Sequence, residues 1–390
     1  VSEGKVYTMG WSNKVTSTQD TIYCFSESAS GANPTPLWTA SYNCSYGPDS
    51  GYKGIRATPT VDGTEVYTYS VEGLLVCYNK NTGATNWSKM VDVGLPGWGF
   101  CSSVLIEGDN VIVSSGASGI SINKAGTATN WSSVGQASYA SPYAVTLGGQ
   151  RTVIIVGNDQ VYGVNPANGA VLWYAASIPG AVIDPIIIDN NIWLSKSDAG
   201  MTGGSLVWDM GARSGQLSTL VWNTSSPYSG LNPATYYNGY IFTLGYEAAC
   251  INSATGAKMW GSGGTNYNGA SSAMMLAGDE FIALDTVWNM VNYVNLITVK
   301  AQSTGYLETR RTNSIVVGSA WTAPTLANSK LYIRTHEGTV VAFDVTATPA
   351  PVITSPTAAT GTVSQSFSYQ ITATNSVTSY NATSLPSGLS

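Results

Sequence analysis

The chain has 390 residues, 43% of them hydrophobic and only 10% charged, against roughly 25% charged in an ordinary soluble domain. That balance excludes an intrinsically disordered chain, and no apolar run approaches the roughly 18 residues that a membrane-spanning helix needs. A formal net charge of −6 without any Lys/Arg cluster argues against nucleic acid or an anionic membrane surface as partner.

The first elements set a pattern. Val1-Ser2-Glu3-Gly4-Lys5-Val6-Tyr7 aligns on Val61-Asp62-Gly63-Thr64-Glu65-Val66-Tyr67, which places Val1 inside the first strand of a repeating unit. Pro residues open further units at Thr58-Pro59, Ser141-Pro142, Asp184-Pro185, Asn232-Pro233 and Ala323-Pro324. A strand tolerates Pro at its first residue, where the missing N–H costs no ladder bond. Turn signals follow at Asp62-Gly63, Gly108-Asp109, Gly148-Gly149, Asp189-Asn190, Asn238-Gly239, Gly278-Asp279 and Asn328-Ser329, each before a second strand. Then an Asn stands eight residues before a Trp: Asn79 and Trp87, Asn123 and Trp131, Asn165 and Trp173, Asn252 and Trp260. Ala84, Ala128, Ala170 and Ala257 fill the fifth position after the Asn, and looser copies end at Trp38 and Trp222. This spacing predicts a hairpin with a Gly-dependent turn and a Trp anchoring the returning strand. Four short strands recurring roughly every 40–50 residues is the period of a β-propeller blade. Eight blades begin near Val1, Arg56, Cys101, Ala140, Asp184, Leu231, Ala270 and Thr322, the fifth and seventh being the most divergent. The fold class is all-β, an eight-bladed propeller of four-stranded blades over residues 1–347.

Asn79-Lys80-Asn81-Thr82-Gly83-Ala84-Thr85-Asn86-Trp87 resembles the repeat of the PQQ-like (quinoprotein-type) β-propeller superfamily. Arg56-Ala57-Thr58-Pro59, Gly97-Trp98-Gly99-Phe100 and Trp321-Thr322-Ala323-Pro324 are similar to a bacterial branch of it. The resemblance implies a fold shared by enzymes and scaffolds. The last blade ends at Phe343-Asp344 without a Gly-Ala-x-x-Trp return strand, so its outer strand is expected from upstream of Val1 or from another source. Residues 348–390 are a linker followed by a segment resembling the first half of a bacterial putative Ig-like (cadherin-like) domain. Ile353-Thr354-Ser355-Pro356, a strand over Phe367–Ala373 and Leu385-Pro386-Ser387-Gly388-Leu389 carry that resemblance. Forty residues cannot bury an independent core, so more chain or strand addition from a neighbour should complete the sandwich.

Candidate sites are few. A single histidine, His336, nearly excludes a His-dependent triad or a multi-His metal site, and it reads as a hairpin-turn residue. Five cysteines without CxxC spacing leave at least one thiol without an intrachain partner. Cys24, Cys77 and Cys250 share one repeat position, where a small residue packs between strands; the pairing of Cys44 and Cys101 stays open. Residues three before each opening Pro, or its equivalent in the repeat, should ring the channel mouth: Arg56, Phe100, Tyr139, Val182, Gly230, Ala270 and Trp321. A ligand-binding mouth of Arg56, Trp98, Phe100, Tyr139 and Trp321 would suit a planar, anionic or sugar-like ligand by stacking and a charge-assisted hydrogen bond. The opposing reading is that these side chains plug the funnel and tie blades together. No catalytic residue and no metal ligand is expected.

The resemblance implies PQQ and Ca2+ on the propeller axis if the chain is a quinoprotein dehydrogenase. Against that, the sequence has no adjacent cysteine pair and no acidic cluster near the mouth beyond Asp184. The favoured expectation is a non-catalytic, exported bacterial surface module, extracellular or on the cell surface, without a cofactor. It would bind other protein chains or extracellular glycans, and a homo-oligomer or fibre joined by strand donation is one form that binding would take. The start of the chain is not a signal peptide, so an export signal would lie outside this segment.

Overall fold

In a computed structural model of the chain, the described residues are 1–11, 19–44, 54–177, 182–196, 204–211, 213–227, 229, 231–245, 247–263, 267, 272–288, 290–346, 352–356, 358–362 and 364–374. Among them the chain forms strands and no helix, in eight sheets that follow one another along the sequence. Blade 1 holds β1 (Lys5–Trp11), β2 (Gln19–Ser26) and β3 (Trp38–Asn43). Blade 2 holds β4 (Thr60–Asp62), β5 (Glu65–Tyr69), β6 (Leu74–Asn79) and β7 (Thr85–Met90). Blade 3 is β8 (Leu105–Glu107), β9 (Asn110–Val113), β10 (Ile120–Asn123) and β11 (Thr129–Ser132). In blade 4 come β12 (Tyr143–Leu147), β13 (Gln150–Val156), β14 (Gln160–Val164) and β15 (Val171–Ala176). Blade 5 is β16 (Ile186–Ile188), β17 (Asn191–Lys196), β18 (Gly204–Asp209) and, after the short β19 (Gly215–Gln216), β20 (Leu220–Thr224). Blade 6 is β21 (Thr235–Tyr237), β22 (Tyr240–Leu244), β23 (Ala248–Asn252) and β24 (Lys258–Gly261). Blade 7 is β25 (Ser272–Ala277), β26 (Glu280–Val287), β27 (Tyr293–Lys300) and β28 (Glu308–Val317). Blade 8 closes the series with β29 (Thr325–Ala327), β30 (Lys330–Arg334) and β31 (Val340–Asp344).

Two departures from a uniform four-stranded blade appear. β19 leaves blade 5 and pairs parallel with β15 of blade 4, Trp173 opposite Gly215, making that sheet five-stranded. The divergence of the fifth repeat is this excursion. Blades 1 and 8 have three strands each; in blade 1 the position of the innermost strand carries only the Ser2–Lys5 bridge. That bridge closes over Glu3 and Gly4, both at positive φ, as Asn238-Gly239 and Asn328-Ser329 are in blades 6 and 8. Positive φ at both central residues is what a two-residue hairpin needs to match the strand twist.

The two middle strands of a blade are buried on both faces between neighbouring sheets, so β5 and β6 read as continuous apolar runs, whereas the outer β7 alternates. Cores form between blades: Ile22, Val66, Leu75 and Val111 share one cluster across blades 1 to 3.

The Asn-to-Trp pattern builds the joints. Asn79 Oδ1 accepts the Asn81 and Thr82 N–H groups at 2.9 and 3.1 Å, and Asn252 does the same for Ala254 and Thr255. This fixes the turn. A bulge follows in blades 2 to 6, as between Cys77 and Tyr78. In blades 1, 2, 3 and 5 the indole N–H donates to a turn carbonyl of the next blade: Trp38 to Lys80 at 3.0 Å, Trp87 to Lys124 at 2.8 Å, Trp131 to Pro166 at 2.9 Å, Trp222 to Ser253 at 2.8 Å. The ring lies on a glycine of the same turn. A Cβ on Gly83, which has φ +74°, would stand 2.5 Å from the Trp38 ring. Only glycine meets both demands.

All five cysteines are thiols, Cys24, Cys44, Cys77 and Cys250 buried and Cys101 half-buried. Cys24, Cys77 and Cys250 stand opposite Trp38, Trp87 and Trp260 in their sheets. The Cys77 and Cys250 thiols are pushed up to about 12 by burial, so neither is a nucleophile at neutral pH.

Beyond the propeller, residues 352–355 pair with 372–374: Thr354 N–H donates to Thr372 O at 2.8 Å and Thr374 N–H to Val352 O at 2.9 Å. The strand expected over Phe367–Ala373 is not formed; Ile353–Ala373 is a single bridge, and Phe367 and Tyr369 are exposed. The described residues make no Ig-like sandwich, and the Leu385–Leu389 motif lies outside them.

Candidate functional site

The loops that enter the first strands of blades 2, 3 and 4 bring Arg56, Trp98, Cys101 and Tyr139 together. Arg56 Nη1 donates to the Trp98 carbonyl, and the Trp98 and Tyr139 rings lie 5.1 Å apart at 32°. The Trp98 N–H donates to the Tyr139 hydroxyl at 3.4 Å. Burial pushes the Cys101 thiol up to about 11, opposed by the neighbouring Arg56. Tyr139 is likewise raised, chiefly by burial.

The expected site residues separate here. Arg56, Trp98 and Tyr139 form one cluster. Phe100 does not line it: only 1% exposed, it packs 5.1 Å from the Tyr69 ring inside the wedge between blades. Its N–H is fixed to the Val71 carbonyl at 2.9 Å, which turns the ring inward and away from a mouth ligand. Trp321 is half-buried on the loop into β29, beside Ala320, whose N–H is held by Thr286 Oγ1 of blade 7 at 2.9 Å. Val182 is half-buried on the loop into β16, while Gly230 and Ala270 lie outside the described residues.

Sequence reasoning passed over an arc of hydrogen bonds built by the residues just before the first strands of blades 2 to 5. Thr58 N–H donates to Ser103 Oγ at 3.0 Å, Ser103 N–H to Ser141 Oγ at 3.0 Å, and Ser141 N–H to Asp184 Oδ1 at 2.7 Å. Blades 2 to 5 are thus linked edge to edge by the same position in each repeat. Thr58, Ser141 and Asp184, each preceding a Pro, were the available signal, and Ser103 holds the same repeat position without one. Burial raises the Asp184 carboxyl above the ordinary carboxylate range, partly offset by the Ser141 N–H. Asp184 nevertheless has exposed surface, as a group lining a narrow water-accessible channel would.

Chemically, the cluster offers one partly free aromatic face, Trp98 at 42% exposure. Its guanidinium is already engaged by a backbone carbonyl. A quinone with Ca2+ needs several oxygen ligands around the metal. The arc supplies one carboxylate, Asp184, and no group of three or more His, Cys, Asp or Glu able to hold a metal ion occurs among the described residues. Among the described residues, those around this cluster do not supply the ligands that pair needs.

Fold and repeat together define an eight-bladed β-propeller. A protein-family model described as outer membrane protein assembly factor BamB matches residues 18–186, about the first four blades. Among solved structures, BamB from Moraxella catarrhalis is similar at 16% identity and TM-score 0.58, covering 83% of this chain and 90% of that one. Sqt1 from Saccharomyces cerevisiae is similar at 10% identity and TM-score 0.58, over 84% of this chain and 93% of that one. The quinohemoprotein alcohol dehydrogenase ADHIIG from Pseudomonas putida HK5 is similar at 12% identity and TM-score 0.51, over 78% and 69%. At these identities the likeness is one of fold. No curated protein matches the chain.

Proposed function

We propose that this propeller is a non-catalytic module of an exported bacterial surface protein and that it works by binding other proteins. The observation that carries this reading is the axial cluster, where Arg56, Trp98 and Tyr139 bond to one another across three blades. Groups that already hold each other tie blades together and leave little for a substrate. The match of residues 18–186 to a family described as an assembly factor supports the same direction. A strand-donated extracellular assembly is the finer form of this reading. A second reading, glycan binding at the mouth, rests on the exposed indole of Trp98, since aromatic faces stack on sugars.

The rival is a PQQ-dependent dehydrogenase. The purified chain, supplied with PQQ, Ca2+ and a panel of primary alcohols, is expected to reduce no artificial electron acceptor above background. Quinone-dependent turnover that disappears in Asp184→Asn would overturn the module reading. Loss of glycan-array binding in Trp98→Ala, with the melting temperature unchanged, would replace protein partners by sugars.

A further inference from the structure

Blade 7 departs from its sisters at one end. Counted from the turn before them, its second and third strands pair from Glu280–Lys300 up to Val287–Tyr293, eight pairs. The same strands make five pairs in blades 2, 6 and 8. Three further pairs, at roughly 3.3 Å per residue, raise this hairpin about 10 Å above those neighbours. β28 climbs with it, Val317 standing opposite Tyr293. The corresponding hairpins of blades 2, 4 and 8 carry Glu72, Asp159 and Glu337, whereas no charged residue occurs from 286 to 299.

The polar groups of the projection are turned back into the protein. Gly318 N–H donates to the Asn292 carbonyl at 2.8 Å, Asn292 Nδ2 to Ser319 Oγ at 3.1 Å, and Ala320 N–H to Thr286 Oγ1 at 2.9 Å. Asn295 Oδ1 accepts the Ser314 N–H at 3.0 Å, and Asp285 is buried at the base. What faces outward is apolar: Val287, Trp288, Val291 and Val317 are exposed, and Met290 completely so. A contiguous apolar surface of this kind marks a contact with a protein or a membrane.

Strand alternation places this hairpin at the same end of the propeller as the loops that lead from one blade into the next. On the loops either side of blade 3, Val93, Leu95 and Val134 are exposed as well. Blade 3 lies across the eight-bladed ring from blade 7. The opposite end, built from the turns, carries the ion pairs Lys80–Glu3, Lys124–Asp62, Arg151–Glu107 and Lys300–Asp279.

We propose that the hairpin end of the propeller rests on a neutral lipid surface, with Trp288, Met290 and Val291 inserted at the boundary between headgroups and acyl chains. The inference goes beyond the protein-binding reading and does not rest on it. Apolar contacts on opposite sides of one end fit a flat, extended surface better than a cleft in a partner protein. A projection of about 10 Å also matches the roughly 5–10 Å to which interfacial segments bury. The strands of the hairpin are paired to its top, Thr286 with Val294 and Val287 with Tyr293, which limits the backbone groups that enter lipid unpaired. Trp288, with Tyr293 behind it, belongs to the side-chain class that settles at this boundary. The surface is neutral because Glu72, Asp92, Asp159 and Glu337 at this end would repel an anionic one, and the Arg56 guanidinium is held by the Trp98 carbonyl.

The test mixes the intact chain with phosphatidylcholine vesicles and follows co-flotation in a density gradient. Binding that rises with lipid into the millimolar range is expected, unchanged in high salt and weaker when phosphatidylglycerol is added. Met290→Asp should lower the partition coefficient about tenfold, and Val134→Asp on the far side by a smaller factor. Both side chains are exposed, so an unchanged melting temperature separates lost binding from lost fold. Trp288→Phe should keep binding yet reduce the quenching of tryptophan emission by lipids brominated in the upper acyl chain. No flotation at millimolar lipid, or flotation that Met290→Asp leaves unchanged, overturns the proposal. So does binding that anionic lipid strengthens, or self-association that Met290→Asp abolishes without any vesicle binding, which would assign the tip to a second copy.

Discussion

The joint between blades 1 and 2 and the joint between blades 8 and 1 are the same device in two states. In the first, Trp38 lies on Gly83, donates to Lys80 O and meets the Tyr7 ring at 6.0 Å. In the second, Tyr332 and the Glu27 turn hold the corresponding places, and a lysine reaches into the position of the indole. The turn keeps its own backbone bond, Glu27 N–H to Gly4 O, without any indole resting on it. The turn is thus set by its own local geometry and not moulded by an indole.

Breaking a filled joint should have the largest effect. Trp131 is 8% exposed and bonded to Pro166 O, so Trp131→Ala should cost about 3–5 kcal/mol, read as a drop in the denaturation midpoint. Gly83→Ala attacks the same device from below. It places a Cβ 2.5 Å from the Trp38 ring at φ +74°, and about 2–3 kcal/mol is expected from overpacking and the left-handed backbone. A smaller change is expected at the axis, where it depends on pH. The Asp184 carboxyl is raised in the fold by burial, so the folded state binds its proton more tightly and this term weakens stability as pH rises through the interval between the unfolded and folded values. Asp184→Asn keeps an acceptor for Ser141, and its stability relative to wild type should improve between pH 4 and pH 7 in parallel melts. An unchanged difference would mean that the fold does not hold the Asp184 carboxyl above its ordinary range.

The open joint should respond weakly. Lys330→Ala removes one polar contact at an open groove, and less than about 1 kcal/mol is expected. A loss comparable to that of Trp131→Ala would mean that the two joints are not in different states. Smallest is the rim pair Arg151–Glu107 between blades 4 and 3, bidentate at 2.8 and 2.6 Å with Arg151 45% exposed. Arg151→Ala should cost about 0.5 kcal/mol or less, fading in 1 M salt. The Arg151 hydrogen bond holds the Glu107 carboxyl below its ordinary range, so the contribution is present above that range and lost as pH falls through it.

The fold was legible because its period is written in residues with one steric solution each. Asn79, Gly83 and Trp87 are separated as an Asx-held turn and a bulged return strand require, and the Pro-opened strands fell where β4, β12, β16 and β29 begin. Strand count was less legible. β19 has no periodicity of its own across two residues, and its pairing with β15 is set by a neighbouring blade. At the site, Arg56, Trp98 and Tyr139 could be grouped from their repeat positions, but Phe100 could not be assigned a direction. Whether an aromatic two residues after Trp98 faces the channel or the wedge depends on its N–H bond to Val71. The alternating segment around Phe367 and Tyr369 carries a strand-like pattern, yet without a second sheet to bury those rings the ladder is not made.

The tryptophan joint also has a direction. Blades 1, 2, 3 and 5 each present an indole to the turn carbonyl of the blade that follows, and the parts that meet are nearly interchangeable: Lys80, Lys124, Pro166 and Ser253 offer the same oxygen whatever their side chains. Such contacts carry no address. They enforce that a neighbour is present and which way round it faces, while the identity of that neighbour is left to the covalent chain alone.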